Sequence, residues 1–329
     1  MFDIFGLGNP MVDAIIQVEE DFIKKIGFPK GSMNLINEQT SKNILKMLEK
    51  SNFSPAPAGD VVNTIMGIAN LGGKAVFCGK IGNDKNGLLI ESIMNHDGIK
   101  PVLIKGSVDT GTCISLVTPD YERTMLTNLG AAITLNESEV VIEDIKNSKI
   151  LYVTGYILED PNLRKAALIA LNEAKKYDKE IVIDVSDPNL VLRCKEDLLN
   201  IIKEFADILI ANEDEAFALT GEKRIDALNA MHFLAKLSII KIGKEGALVN
   251  DDGDIFEVKG FKVNAIDTTG AGDMFAAGFL FGLTNGYDSK QSALIANFAA
   301  SKVVEVLGGR LNVSLKEEVK KLLREDLVD

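Results

Sequence analysis

Short runs of β-branched and aromatic residues recur between helix-like stretches along the chain. They lie at 2–7, 75–78, 150–153, 181–185, 208–210 and 239–242. Strands alternating with helices imply parallel pairing, because each crossover helix returns the chain to the same end of the sheet. Several runs are apolar at nearly every position, the pattern of central strands covered on both faces. The pattern therefore predicts an α/β fold, a three-layer α/β/α sandwich on a mainly parallel sheet.

Two regions break this rhythm. One holds 13–18 and 33–36; the other holds 112–117 and 123–126, joined by Thr118-Pro119-Asp120-Tyr121-Glu122. Alternation around a Pro-Asp turn predicts a hairpin, and together the pieces predict a small sheet projecting as a lid. No repeat, low-complexity tract or linker divides the rest. Residues 1–329 are thus expected to form one domain, with the lid built from segments at about 12–37 and 110–129.

Composition narrows the partners. At 329 residues and 46% hydrophobic content the chain can bury a substantial core. A formal net charge of -12 without any Lys/Arg block argues against binding a nucleic-acid backbone and favours a small molecule. Cys78, Cys113 and Cys194 are odd in number and widely spaced, which makes neither a disulfide framework nor a metal knuckle. The start lacks the basic and apolar regions of a secretory signal, and no apolar stretch is long enough for a bilayer. The expectation is a cytoplasmic protein without membrane contact. His96 and His232 both sit in helix-like segments without ligand spacing, which disfavours a Ser-His-Asp triad and a zinc site.

The chemistry concentrates at Asp267-Thr268-Thr269-Gly270-Ala271-Gly272-Asp273, where an extended approach meets a helix predicted to run to about Leu283 and to stop at Asn285-Gly286. Gly270, Ala271 and Gly272 carry little or no side chain, so a phosphate can approach their N–H groups at the positive end of the helix dipole. In the same turn Asp273 is placed to accept the proton of a hydroxyl attacking that phosphate. The plainer alternative is a first-turn acid that satisfies the helix dipole. Three small residues in succession favour the anion hole, since helix entry does not require them.

This heptapeptide resembles the C-terminal signature of the ribokinase/PfkB family of carbohydrate and nucleoside kinases. Upstream, Gly59-Asp60-Val61-Val62-Asn63 with Leu71-Gly72-Gly73-Lys74 and Gly79-Lys80-Ile81-Gly82-Asn83-Asp84 is similar to the N-terminal signature. The resemblance implies that Gly59 and Asn63 bind substrate hydroxyls. Asn212-Glu213-Asp214-Glu215 is similar to the family's N-x-x-E motif, which implies that Asn212 and Glu215 organise Mg2+ through water; a helix cap is the other reading of Asn212. Lys241-Ile242-Gly243-Lys244-Glu245-Gly246-Ala247 resembles the stretch whose glycines, here Gly243 and Gly246, border the ATP site. The resemblance runs in order over essentially the whole chain. It places ATP phosphates at 270–272, with Thr268 beside them, and the adenine near Asn297. Asp267 and Thr269 match positions where family members often hold a monovalent cation such as K+.

The opening Gly6-Leu7-Gly8-Asn9-Pro10-Met11-Val12-Asp13 resembles the adenosine kinase branch, in which the Asp matching Asp13 holds two ribose hydroxyls. Asn9-Pro10 also reads simply as a turn. Thr110-Gly111-Thr112-Cys113, Arg123 and Asn128 resemble that branch's lid, with Arg123 the candidate to reach the reacting phosphate or an exposed lid charge. Two positions depart from the pattern: Ala58-Gly59 replaces the usual paired glycine, and Asp60 replaces a small residue. An acid there repels a phosphorylated sugar and favours an uncharged acceptor, to which Asp60 could add a hydroxyl contact. The expected reaction is transfer of the ATP γ-phosphate to the 5′-hydroxyl of adenosine, with a monosaccharide kinase and a catalytically silent nucleoside or sugar binder as alternatives. A monomer or homodimer is expected, with the lid sheet edge as one route to association.

Other classes fit less well. Gly6-Leu7-Gly8 opens like a dinucleotide fingerprint, but Met11 stands where Gly or Ala allows close helix packing. No Gly-Lys pair is followed by Ser or Thr, as a P-loop requires. Asp251-Asp252-Gly253-Asp254 would need Glu where Lys262 stands to bind calcium, and reads instead as a hairpin turn.

Overall fold

The computed structural model describes residues 1–49, 51, 53, 55–120 and 122–326. Its large sheet has nine strands, in the order Asp254–Lys259, Gly246–Asp251, Leu237–Lys241, Ile208–Asn212, Glu180–Asp184, Ser148–Thr154, Phe2–Leu7, Ala75–Gly82 and Lys100–Gly106. From Leu237–Lys241 to Lys100–Gly106 every neighbouring pair is parallel.

Side-chain alternation explains the unbroken apolar runs. Ile4, Ile150 and Tyr152 point into one core and Phe5, Leu151 and Val153 into the other. The first core packs under the helices Asp60–Leu71, Ala271–Thr284 and Ser289–Val303, the second under Pro161–Lys176 and Pro188–Phe205. The layers are helix, sheet and helix, as the strand pattern predicts.

Three strands escaped that pattern. Lys100–Gly106 is an edge strand whose second residue, Pro101, cannot donate to a central ladder. Gly246–Asp251 and Asp254–Lys259 form the antiparallel hairpin that the 251–254 turn implies, with Asp252 and Gly253 at φ 50° and 98°.

The second sheet has five strands in the order Met33–Leu35, Arg123–Gly130, Thr110–Val117, Met11–Gln17 and Ala56–Ala58. Thr110–Val117 and Arg123–Gly130 form the predicted hairpin, with Val117 opposite Arg123; Tyr121 of its turn lies outside the described residues. The other two predicted strands do not meet each other. Met11–Gln17 pairs parallel with one side of the hairpin and Met33–Leu35 parallel with the other. Ala56–Ala58, outside both predicted segments, completes the sheet.

Period-two alternation gives this sheet two unlike faces. Ala14, Ile16, Ile114, Leu116 and Leu126 pack under the helices Glu20–Ile26 and Glu38–Met47. Their neighbours Asp13, Cys113, Ser115, Arg123 and Met125 line a cavity between the two sheets. Among the described residues, no helix is long and apolar enough to cross a membrane.

Candidate active site

A cavity of about 1300 Å³ opens where the parallel strands end. Polar residues close several apolar strands there: Thr154, Asp184, Asn212 and Lys241 all line it. Open parallel sheets bind ligands at this carboxyl edge, because crossover loops and helix N-termini gather around it.

The predicted helix spans Ala271–Thr284, one residue beyond Leu283, with Asn285 as its C-cap. Gly270 precedes it in the left-handed region at φ 73°. A Cβ on Gly270 would lie 2.6 Å from Gly309 Cα, so both conformation and space demand glycine. The Gly270 backbone turns the chain into the helix, with its Cα packed toward Gly309. Ala271 and Gly272 do line the cavity, although the Ala271 N–H donates to the Thr268 carbonyl at 3.2 Å. Among the described residues beyond its own helix, the Lys241 Nζ stands nearest the missing Cβ of Gly272, at 3.4 Å.

Asp273 follows in the first turn. Its Oδ2 accepts from Asn63 Nδ2 at 2.8 Å, a bond to another helix. Burial and then the Asp60 carboxylate push the Asp273 carboxyl up to about 7, against the Asn63 hydrogen bond and the Lys241 charge.

The N-terminal residues meet it from the other side. Gly59, at φ 116°, starts the helix Asp60–Leu71, and a Cβ there would lie 2.3 Å from the Asn9 carbonyl oxygen. Only glycine lets the helix enter so close to the first strand's end. Asp60 Oδ1 accepts from the Val61 N–H at 2.8 Å. Asp60 Oδ2 and Asn9 Oδ1 are buried and without a hydrogen-bond partner among the described residues. Burial raises the Asp60 carboxyl above its ordinary range. Asp13 accepts from the Ser115 hydroxyl at 2.8 Å, and burial raises it too.

Arg123 reaches out of the small sheet to the glycine turn. It donates to Thr269 Oγ1 and lies 3.5 Å from Asp267 Oδ2. Asp267 also accepts from the Thr269 N–H at 3.0 Å and the Gly308 N–H at 2.9 Å. Burial would raise the Asp267 carboxyl, but those amides and Arg123 outweigh it and hold it below the ordinary range. Thr268 and Thr269, which follow it, line the cavity.

At the far end, Asn212 and Glu215 form a reciprocal capping box: the Asn212 N–H donates to Glu215 Oε2 at 2.7 Å, and the Glu215 N–H to Asn212 Oδ1 at 2.8 Å. The capping reading of Asn212 therefore holds, and both side chains still line the cavity. Burial first, and Asp184 further, push Glu215 up to about 7 against the Lys241 charge. Gly243 and Gly246 border the same end. A Cβ on Gly246 would fall 2.0 Å from the Val258 carbonyl. Asn297 lines the cavity, but its amide nitrogen donates to the carbonyls of Val258, at 2.9 Å, and Lys259, at 3.3 Å. Its NH2 group thus anchors the hairpin to the helix Ser289–Val303.

Sequence reasoning overlooked Asp184 and Lys241. The signal was present: each is the polar residue that closes an otherwise apolar strand, at the sheet edge where ligands bind.

Comparison with known proteins agrees with this architecture. The profile of the pfkB family carbohydrate kinases matches residues 32–315. The 5-dehydro-2-deoxygluconokinase of Bacillus subtilis (strain 168) is 29% identical over 290 residues, covering 84% of this chain and 89% of that protein. Probable fructokinase-6, chloroplastic, of Arabidopsis thaliana is 31% identical over 309 residues, covering 86% and 79%. The crystal structure of adenosine kinase from Sinorhizobium meliloti superposes with a TM-score of 0.90 at 31% identity, covering 98% of this chain and 99% of that one. With its ribokinase-like fold, the chain belongs to the pfkB family of carbohydrate kinases.

Proposed function

We propose that this kinase transfers the γ-phosphate of ATP to a nucleoside, with the 5′-hydroxyl of adenosine as its foremost acceptor. One observation carries the reading: the cavity beneath the small sheet offers both kinds of surface. Asn9, Asp13 and Asn63 line it with polar groups, and Met11, Met33, Leu35, Met125 and Leu129 with apolar ones. A ligand with a hydroxylated ring and a flat apolar group satisfies both, whereas a bare monosaccharide leaves the apolar groups uncovered.

The roles follow from position. Asp13 accepts two neighbouring hydroxyls, which leave it charged and satisfied. Asp273, oriented by Asn63, takes the proton of the attacking hydroxyl. The open N-terminus of the helix Ala271–Thr284 faces the transferred group. Arg123 offsets its charge, and the small sheet acts as a lid that excludes water from one kinase domain.

Kinases of this family use ATP and Mg2+. When bound, Mg2+ neutralises phosphate charge; Glu215 and Asn212 would hold it through water. The donor set fits such an ion, since the Glu215 carboxylate and the Asn212 carboxamide line the cavity with the hard oxygens that Mg2+ meets through its own waters. A monovalent cation at Asp267 and Thr269 would share these side chains with the Arg123 guanidinium. No step is assigned to one.

A second reading, a monosaccharide kinase, draws on the unpartnered Asp60 Oδ2, an acceptor that another sugar hydroxyl would satisfy. ADP formation from Mg-ATP with adenosine, inosine, ribose, fructose and fructose 6-phosphate decides between them. Turnover of adenosine that Asp273→Asn abolishes supports the nucleoside reading. Turnover of a plain sugar alone replaces it with the second, and no acceptor-dependent turnover on a wider panel leaves a silent binder.

A further inference from the structure

Lys241 opens the stretch whose glycines border the cavity and has no part in the mechanism above, yet it is a buried cation in the middle of the site. It closes the strand Leu237–Lys241, and its side chain is 14% exposed. Its Nζ lies 3.1 Å from Asp184 Oδ2 and 3.3 Å from Asp184 Oδ1, and Asp184 is more deeply buried still. Burial alone would lower its pKa, but Asp184 and then Glu215 raise it above the ordinary lysine range, so the ammonium stays charged.

Stability is a poor reason for such a pair, because two charges taken out of water recover little more than their desolvation cost, and an apolar pair often does as well. Position offers a better one. A Cβ on Gly272 would come 3.4 Å from Nζ, so the ammonium stands over the one point of the helix start where the absent side chain leaves room. Asp60, Asp184, Glu215 and Asp273 surround this end of the cavity with carboxylates. A polyphosphate entering it meets repulsion unless a cation waits inside. Among the described residues, the other cations lining the cavity are Lys244 and Lys262, both exposed, and Arg123, which is engaged with Thr269 on the lid side.

We propose that Lys241 is a further catalytic residue that contacts the terminal phosphate of the nucleotide, and that Asp184 is the positioning residue that aims it. As the acceptor oxygen bonds to phosphorus and the bond to the bridging oxygen breaks, the bonding pair leaves with ADP and the hydroxyl proton goes to Asp273. Lys241 stays protonated throughout, and its charge meets the oxygens of the moving group. The proposal rests on phosphoryl transfer at Asp273 and not on which acceptor is used.

The test therefore needs no acceptor. Calorimetric titration with Mg-ADP, and with the non-hydrolysable ATP analogue AMP-PNP plus Mg2+, compares the wild type with Lys241→Met, Lys241→Arg and the charge-balanced Lys241→Met/Asp184→Asn. The expected result for Lys241→Met is ADP affinity within about threefold of wild type and AMP-PNP affinity weaker by about tenfold or more, partly restored in Lys241→Arg. If Lys241→Met fails to fold with its buried carboxylate unpaired, the double variant carries the same expectation. Wild-type affinity for both nucleotides, or an equal loss of both in a variant that melts like the wild type, overturns the proposal. Adenosine being refused in the acceptor panel would leave this result untouched.

Discussion

The Asn63 amide donates to the Asp273 carboxylate across 2.8 Å, joining two helices whose partners stand 210 residues apart in the chain. The bond favours the ionised carboxylate and fixes the oxygen that faces the cavity. Asn63→Ala is expected to lower kcat by about ten- to a hundredfold and to move the acid limb of the rate profile to higher pH. Steady-state rates across pH 5.5 to 9 check both; an unchanged limb would show that the amide does not tune the acid.

Asp273 is held against its own chemistry, buried beside Asp60 with its carboxyl pushed up to about 7. Asp273→Asn should cut turnover by about 10³-fold. It should also stabilise the fold by about 1–3 kcal/mol at pH 8, because the amide removes a charge that the native state destabilises. Urea unfolding at pH 8 reads the second effect, and a less stable variant would contradict it.

The pH dependence has a definite sign. Transfer requires the Asp273 carboxylate, so the rate should fall as pH drops below about 7, and Asp60→Asn should move that limb lower by removing a neighbouring negative charge. Stability should run the other way. Glu215 and Asp273 are both pushed up to about 7, and burial raises Asp13 and Asp60 as well, so above the ordinary carboxylate range the native chain binds more protons than the unfolded one. Unfolding midpoints should therefore decrease from pH 5.5 to pH 8.

Arg123 links the small sheet to the glycine turn through Thr269 and Asp267. Arg123→Ala should reduce kcat by about ten- to a hundredfold while Mg-ADP affinity changes little, since the guanidinium acts from the lid side. Equal losses in kcat and ADP affinity would place it on the bound nucleotide instead.

The small sheet's apolar face is covered by its own helices, Glu20–Ile26 and Glu38–Met47, which bury Ala14, Ile16, Ile114, Leu116 and Leu126. With that face covered by the chain's own helices, the chain is expected to run as a monomer of 35.7 kDa. Light scattering after size exclusion tests this, and twice that mass would refute it.

The sequence by itself determined the elements whose cause is local. Apolar runs mark six of the nine strands of the large sheet, the Gly270-Ala271-Gly272 turn marks the start of its helix, and the 118–122 turn marks the small sheet's hairpin. Each depends on periodicity or backbone freedom within a few residues, which a single stretch of chain displays. Only the tertiary structure decided what each stretch meets. Alternation assigns a strand two faces but names no neighbour, so the sequence could not show that the hairpin separates Met11–Gln17 from Met33–Leu35. It also could not show that Gly270 packs against Gly309. The pairing of Lys241 with Asp184 was hidden for the same reason. A lysine ending an apolar strand reads as a solvated terminus, until the parallel sheet brings a second strand's closing aspartate beside it and burial makes the two charges depend on each other.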